Sequence, residues 1–198
     1  MSIWGTLKLG RIVERSEAAA RLAVLERAEA LKDVFRSGFT GEGRPESTAA
    51  HTWRLCLWVV LFEDQCGGLD IARLLKLAVL HDLGEAVSGD IPATEQAGDK
   101  SAQERADFAS LLEGLSSAQA DGLLELWDEY ENAASPEARL IKGLDKLETI
   151  LQHTQGQNPA DFDYGFNLDY GQQYMEGHPL LQELRPMLDE KTRARMKG

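Results

Sequence analysis

Two histidines and two aspartates in this sequence stand where they could share a cation. His51, Leu55, Trp58 and Phe62 follow the i, i+4, i+7, i+11 spacing of one helical face, so the imidazole points where the apolar stripe points. Leu74, Leu77, Ala78 and His81 repeat that pattern further along. Asp82 adjoins His81 but is offset by about 100° around a helix. Both therefore reach one ion only where the helix frays or bends, which Gly84 favours. Asp145 borders the stripe Leu140, Leu144, Leu147 and Leu151, where a carboxylate is costly unless it is ion-paired or metal-bound. Two imidazoles and two carboxylates suit a divalent ion of intermediate hardness: manganese, cobalt, iron, nickel, magnesium or zinc. Four protein donors leave a six-coordinate ion with positions for water and a phosphate oxygen. Coordination lowers the pKa of water from about 15.7 toward about 7, so the chemistry open to such a site is hydrolytic.

The elements that must hold these residues read as helices from end to end, without a convincing period-two run bounded by hairpin turns. A first amphipathic helix is expected over residues 15 to 35, with Val24, Ala28, Leu31 and Phe35 along one side, and Gly38, Gly41 and Gly43 mark a polar loop after it. Ser47 is placed to cap a second helix running to about Asp64, whose TWRLCLWVVLF run reads as central and buried. Asp70 caps a third, IARLLKLAVLHD, which Gly84, Gly89 and Pro92 interrupt, leaving His81 and Asp82 at its C-terminal end. Ser101, Ser116 and Ser135 precede further helical patterns. Pro136 and Glu137 give the last of these a favourable first turn, and that helix carries Asp145. Residues 156 to 176 form an irregular segment rich in Asp, Tyr and Gly, of a length that is often functional, before a short helix near Pro179. The expectation is an all-α fold, one domain over residues 1 to 198.

Composition removes several function classes. The net charge of −12 and the pI near 4.8 oppose a surface built to neutralise a nucleic-acid backbone, which draws on clustered Lys and Arg. A small phosphate ester stays open, because a metal ion and one or two local cations reverse the field inside a pocket. Cys56 and Cys66 are the only cysteines, and Cys56 sits in an apolar run where a thiol acts as a small hydrophobe, so no disulfide framework is expected. The opening MSIWGTLKLG lacks the apolar core of a signal peptide, and no stretch reaches the roughly 18 apolar residues of a membrane span. A soluble, cytoplasmic protein is expected.

Each candidate taken singly has a plainer role. A histidine on an apolar face is more often a satisfied core residue, Glu85 reads equally as a surface acid, and Asp90 as the start of a turn before Ile91 and Pro92. Asp145 has a neighbouring Lys or Arg for a partner. The combination changes the odds.

The stretches RPESTAAH (44 to 51), HDLGEAVSGDIP (81 to 92) and LWDEYENAASPEARLIKGLDKLE (126 to 148) together resemble the HD-domain 5′-deoxynucleotidases, over about residues 31 to 155. The ordered set is a His, then His-Asp with Glu four and Asp nine residues after that His, then a distal Asp-Lys-Leu-Glu. The resemblance implies a helical bundle with one divalent ion bound by His51, His81, Asp82 and Asp145, the positions already selected by spacing. It further implies that Glu85 and Asp90 assist the attacking water or the leaving group, a role open to carboxylates beside a metal-bound water. Arg36 matches a family arginine that contacts the substrate phosphate or sugar, where a guanidinium fork fits phosphate oxygens; a solvated arginine at a helix end is nearly as good a reading.

Two positions depart from the pattern. Ser37 stands where some relatives carry an aromatic residue against the sugar, which bears on the choice between deoxyribose and ribose. Ala50 stands where relatives commonly carry an acid, which bears on the orientation of His51. His153 and His178 read as structural or surface residues, leaving too few ligands for an obvious second metal and disfavouring a binuclear phosphodiesterase. The segment from 156 to 176 either closes over the pocket or joins a dimer contact, and a homodimer is what the resemblance implies. The function expected is hydrolysis of a nucleoside 5′-monophosphate, most readily the deoxy form, to nucleoside and phosphate. The alternatives are another nucleotide or phosphate ester at the same site, or a non-catalytic nucleotide-binding module.

Overall fold

A computed structural model describes residues 13–90 and 100–197 of the chain, and within it Ser47, Asp70 and Ser135 cap helices as their side chains predict. Ser47 accepts from the Ala50 amide at 3.2 Å and starts α2 (Thr48–Leu61). Asp70 accepts from Arg73 at 3.1 Å and starts α3 (Ile71–Leu80). Ser135 accepts from Ala138 at 3.0 Å, and Pro136 opens the longest helix among the described residues, Pro136–Gln155. Ser116 precedes the helix Ser117–Glu131 without a side-chain cap, and Ser101 lies inside Lys100–Leu111.

The remaining elements are α1 (Arg15–Ala28), strands β1 (Phe35–Phe39) and β2 (Pro45–Ser47), and the short α4 (Glu85–Ser88). Numbering then continues through α5 (Lys100–Leu111), α6 (Ser117–Glu131), α7 (Pro136–Gln155), α8 (Phe166–Asp169) and α9 (Pro179–Arg195). The fold is a helical bundle built around α7, which packs against α2, α3, α6 and α9. Leu140, Ile141, Leu144, Leu147 and Ile150 of α7 are fully buried and meet Leu55 and Val59 of α2, Leu74 and Leu77 of α3 and Leu181 of α9. Each such side chain contributes about 1.5–3 kcal/mol on leaving water. A second cluster, Leu80, Phe108, Leu112 and Trp127, joins α5 and α6 to the end of α3. Gly143 marks the closest crossing: a Cβ there would lie 2.2 Å from Leu181 Cδ1, so α7 and α9 meet only because that side chain is absent.

Several expectations need correction. The first helix stops at Ala28, a 3₁₀ turn follows over Glu29–Lys32, and residues 35 to 39 are extended. Phe35–Phe39 pairs antiparallel with Pro45–Ser47, an irregular hairpin whose strands are the only two among the described residues. Leu31 is buried as the stripe predicts, yet Phe35 is exposed. Extended backbone wins here because Gly38 lets the strand lie against α7, where a Cβ would already be 3.3 Å from Gln152 Cγ and His153 Cδ2. Gln152 Nε2 donates to the Phe39 carbonyl at 2.5 Å.

α2 is not buried all round. It ends at Leu61, and Trp53, Val60 and Leu61 are 54–67% exposed, which leaves the central position to α7. The helix expected to be short near Pro179 runs to Arg195 and buries Leu180, Leu181 and Leu188. Between α7 and α9 the irregular segment contains α8 and a 3₁₀ stretch, Gln172–Gly177. Arg185 clamps it by donating to the carbonyls of Asn167, Leu168 and Tyr170 at 2.6–2.8 Å. His153 is buried rather than peripheral and bonds Asn167 Oδ1 at 2.7 Å, while His178 Nδ1 caps α9 by accepting from Leu180 at 3.2 Å. Cys56 and Cys66 are both free. Pro92, read as a helix breaker, Ile91, and the first 12 residues lie outside the described residues.

Candidate metal centre

The end of α3 solves the problem that His81 and Asp82 pose as consecutive residues. The helix terminates at Leu80, residues 81 to 84 turn, and α4 begins at Glu85. Gly84 makes this turn possible against α5, since a Cβ there would lie 2.7 Å from the Glu104 carbonyl oxygen. Freed from helical phase, Asp82 Oδ2 lies 3.0 Å from its neighbour's ring, at His81 Nε2. α2 brings His51 from one side and α7 brings Asp145 from another. His51 Nε2 is 3.1 Å from Asp145 Oδ1 and 3.9 Å from Asp82 Oδ2, and His81 Nε2 is 4.0 Å from Asp145 Oδ1. The four side chains selected from spacing thus converge.

The separations of 3.0 and 3.1 Å match the edges of a coordination polyhedron, and those of 3.9 and 4.0 Å are wider than an edge. Donors about 2.1 Å from an ion lie about 3 Å apart at right angles and about 3.4 Å apart in a tetrahedron. Both imidazole Nε2 atoms are buried without a well-formed hydrogen bond, and the groups facing them are the carboxylates of Asp145 and Asp82 at 3.1 and 3.0 Å, the surroundings that ligands of a shared cation have. The donor atoms of His51, His81 and Asp145 all lie within 4.8 Å of one another, so the residues present fit a divalent ion. Asp82, with 18% of its side chain exposed, stands at the outer edge of the group.

Each donor is oriented from behind. His81 Nδ1 meets the Ala78 carbonyl at 2.8 Å, and Trp127 Nε1 donates to the His81 carbonyl at 3.2 Å. His51 Nδ1 is in close contact with Glu148 Oε2, and Arg54 Nε donates to the other oxygen of that carboxylate. Asp145 Oδ2 accepts from Tyr130 and from Lys146, both at 2.8 Å, so Oδ1 is the oxygen turned toward the imidazoles. Ala50, in contrast, is exposed and faces away from the cluster; the carboxylate behind His51 comes from α7.

Arg36 sits on β1, where NH1 donates to Asp82 Oδ2 at 3.0 Å and NH2 to Thr149 Oγ1 at 3.2 Å. It is therefore not a solvated helix-end arginine. Ser37 is exposed on the opposite face of the strand. Glu85 is buried in the first turn of α4 and accepts from Thr48 Oγ1 at 3.2 Å. Asp90 follows α4 after Gly89, whose φ of +82° turns the chain. Burial opposes the Arg36 charge, but Asp82, Asp145, Asp90 and Glu85 outweigh it and hold the guanidinium protonated.

The electrostatics favour an ionised acid set. Burial opposes ionisation of Asp82, yet the His81 and Arg36 charges hold its carboxyl well below the usual range. Asp145 is likewise depressed against burial by Lys146, His51 and His81. Burial and Arg36 work against protonation of His51, but Glu148 and Asp145 prevail and raise its pKa to about 10. Burial and the adjacent Glu148 push Glu46 up to about 7. Lys146 is the neighbouring cation that the sequence offers Asp145, and Glu148 closes the Asp-Lys-Leu-Glu motif, but neither Glu148's place behind His51 nor the parts of Arg54 and Tyr130 follow from the sequence. Glu148 carried a signal: it lies one helical turn from Asp145, in the same buried stretch of α7.

Residues 28–185 match the family model of the HD domain. The chain is 36% identical over 130 residues to 5′-deoxynucleotidase hdd1 of Schizosaccharomyces pombe, a match covering 62% of this chain and 65% of that protein. It is 32% identical over 142 residues to human 5′-deoxynucleotidase HDDC2, covering 70% of this chain and 69% of that one. The matched region is under two thirds of the length of the fission yeast protein and of the zebrafish HDDC2, 65% and 62%. The crystal structure of a predicted metal-dependent phosphohydrolase from Magnetospirillum magnetotacticum superposes with a TM-score of 0.76 at 25% identity, covering 90% of this chain and 94% of that chain. The PH0347 protein of Pyrococcus horikoshii gives 0.65 at 26% identity, over 87% and 98%. A match that takes in α2, α3 and α7 together with the His, His-Asp and Asp they bring to one point places this chain in the HD domain family.

Proposed function

We propose that the protein is a metal-dependent phosphomonoesterase that converts a nucleoside 5′-monophosphate, preferentially the deoxy form, and water into nucleoside and inorganic phosphate. The observation that carries this reading is the pair of buried Nε2 atoms of His51 and His81 facing Asp82 and Asp145. In the proposed site those four residues hold one divalent ion, of the manganese, cobalt, magnesium, iron, nickel or zinc class. When bound, that ion supplies Lewis acidity and lowers the pKa of water. Arg36 binds the phosphate with the N–H groups that Asp82 and Thr149 leave over. Glu85 and Asp90 orient the attacking water, take up the proton it loses and pass a proton to the leaving 5′ oxygen. The names of the HDDC2 and hdd1 relatives support the choice of substrate.

The same reading makes the protein a single-domain cytoplasmic homodimer that acts on a small molecule. No helix among the described residues is long and apolar enough to cross a membrane. The −12 charge disfavours a nucleic-acid polymer. Trp53, Val60 and Leu61 give α2 an apolar face for a second subunit.

The test is phosphate release from deoxy- and ribonucleoside 5′-monophosphates with Mn²⁺, Co²⁺ and Mg²⁺. The expected result is release favouring the deoxy series, reduced about 10²–10⁴-fold by Glu85→Ala with metal affinity retained. A protein that binds metal and releases phosphate from no nucleoside monophosphate would overturn the proposal.

A further inference from the structure

Glu148 is the one carboxylate at the centre with no solvent exposure at all, and its two oxygens are taken by the far ring nitrogen of His51 and by Arg54. An ionised carboxylate in such a position costs several kcal/mol unless it is fully paired, and an apolar side chain of similar volume would fill the space without that penalty. The pairing is complete and uses one oxygen for each partner: Oε2 meets His51 Nδ1, and Oε1 accepts from Arg54 Nε. Arg54 lies one turn beyond His51 on α2 and is itself tethered to α7 through Gln155 Oε1 at 3.1 Å. The chain of contacts therefore runs from α2 to α7 and back to the ring of His51.

An imidazole whose Nδ1 faces a carboxylate keeps a proton there, which leaves Nε2 as the atom available for a cation. In His51 that atom is 3.1 Å from Asp145 Oδ1 and makes no well-formed hydrogen bond. His81 is oriented differently, by the neutral Ala78 carbonyl. A charged acceptor makes an imidazole a more basic ligand than a carbonyl does. The two nitrogen donors are thus unequal by construction.

We propose that Glu148, anchored by Arg54, is the positioning residue of His51: it fixes the ring and its Nδ1–H, so that Nε2 is presented as the stronger of the two nitrogen donors. This rests on the reading of His51 as a metal ligand. Stripped of metal and titrated with Co²⁺, the wild-type protein should bind one ion, followed by visible absorption. Glu148→Gln, which keeps the shape and one acceptor oxygen, should weaken binding about tenfold, and Glu148→Ala about a hundredfold. In Zn²⁺-loaded protein labelled with ¹⁵N-histidine, the Nδ1 proton of His51 should be protected in the wild type, exchange faster in Glu148→Gln and fastest in Glu148→Ala, while that of His81 is unchanged. A merely structural role would not separate the two rings in this way. If Glu148→Ala does not fold, the isosteric Gln variant carries the test. Wild-type Co²⁺ affinity in both variants, or an unaltered His51 proton, would overturn the assignment of Glu148 alone. A wild-type protein that binds no Co²⁺ would overturn the ligand reading, and this proposal with it.

Discussion

Uptake of a divalent ion by the metal-free protein should release one proton from His51 near neutral pH. The Glu148 and Asp145 carboxylates raise the His51 pKa from its usual value near 6.5 to about 10, so at pH 7 the metal-free ring is an imidazolium. An ion that takes Nε2 must displace that proton, which at pH 7 costs about 4 kcal/mol, three pH units at about 1.4 kcal/mol each. Apparent affinity should then rise about tenfold per pH unit until the pH approaches 10. The sign for stability without metal is opposite. A raised pKa contributes stabilisation that is complete below about 6.5 and is lost as the pH climbs through about 10. The metal-free protein therefore weakens over the range in which metal binding strengthens. Calorimetric titration with Co²⁺ at pH 7 and pH 8, in two buffers of different ionisation enthalpy, reads both quantities. Equal affinity at the two pH values, with no proton transferred to buffer, would refute the reasoning.

Two further perturbations address the scaffold. Gly143→Ala gains about 1 kcal/mol of helix propensity but forces a methyl to within 2.2 Å of Leu181 Cδ1, so a net loss of about 1–2 kcal/mol is expected in urea denaturation; a gain in stability would show that α9 yields freely. Ser135→Ala should cost about 1 kcal/mol by removing the 3.0 Å cap of Ala138, while Ser116→Ala, where the side chain makes no cap, should leave the denaturation midpoint in place.

What could be read from the sequence was whatever repeats with helical period. His51 and His81 each continue an apolar stripe, and Asp145 borders one, so their convergence followed from packing the stripes together. The cap residues Ser47, Asp70 and Ser135 act locally and were legible for that reason. The hairpin was hidden because five residues paired irregularly with three carry too little alternation to register, and what holds them extended is contact with α7, distant in sequence. α2 was misjudged because an apolar run shows hydrophobicity without showing which side meets a neighbour. Lys146 was legible as a neighbour of Asp145 and Glu148 as the end of the motif, but that Glu148 stands behind His51, and that Tyr130 reaches Asp145 from another helix, depends on how α2, α6 and α7 pack.

The crossing at Gly143 and Leu181 bears on how this chain divides. The motif residues end at Glu148, yet Leu180, Leu181 and Leu188 of α9 cover the same helix that carries Asp145. The segment that carries the chemistry and the segment that folds are therefore of different lengths. A fragment cut after α7 would keep every candidate ligand and expose the apolar stripe that holds one of them in place, so the unit that folds here is the bundle with its last helix rather than the motif.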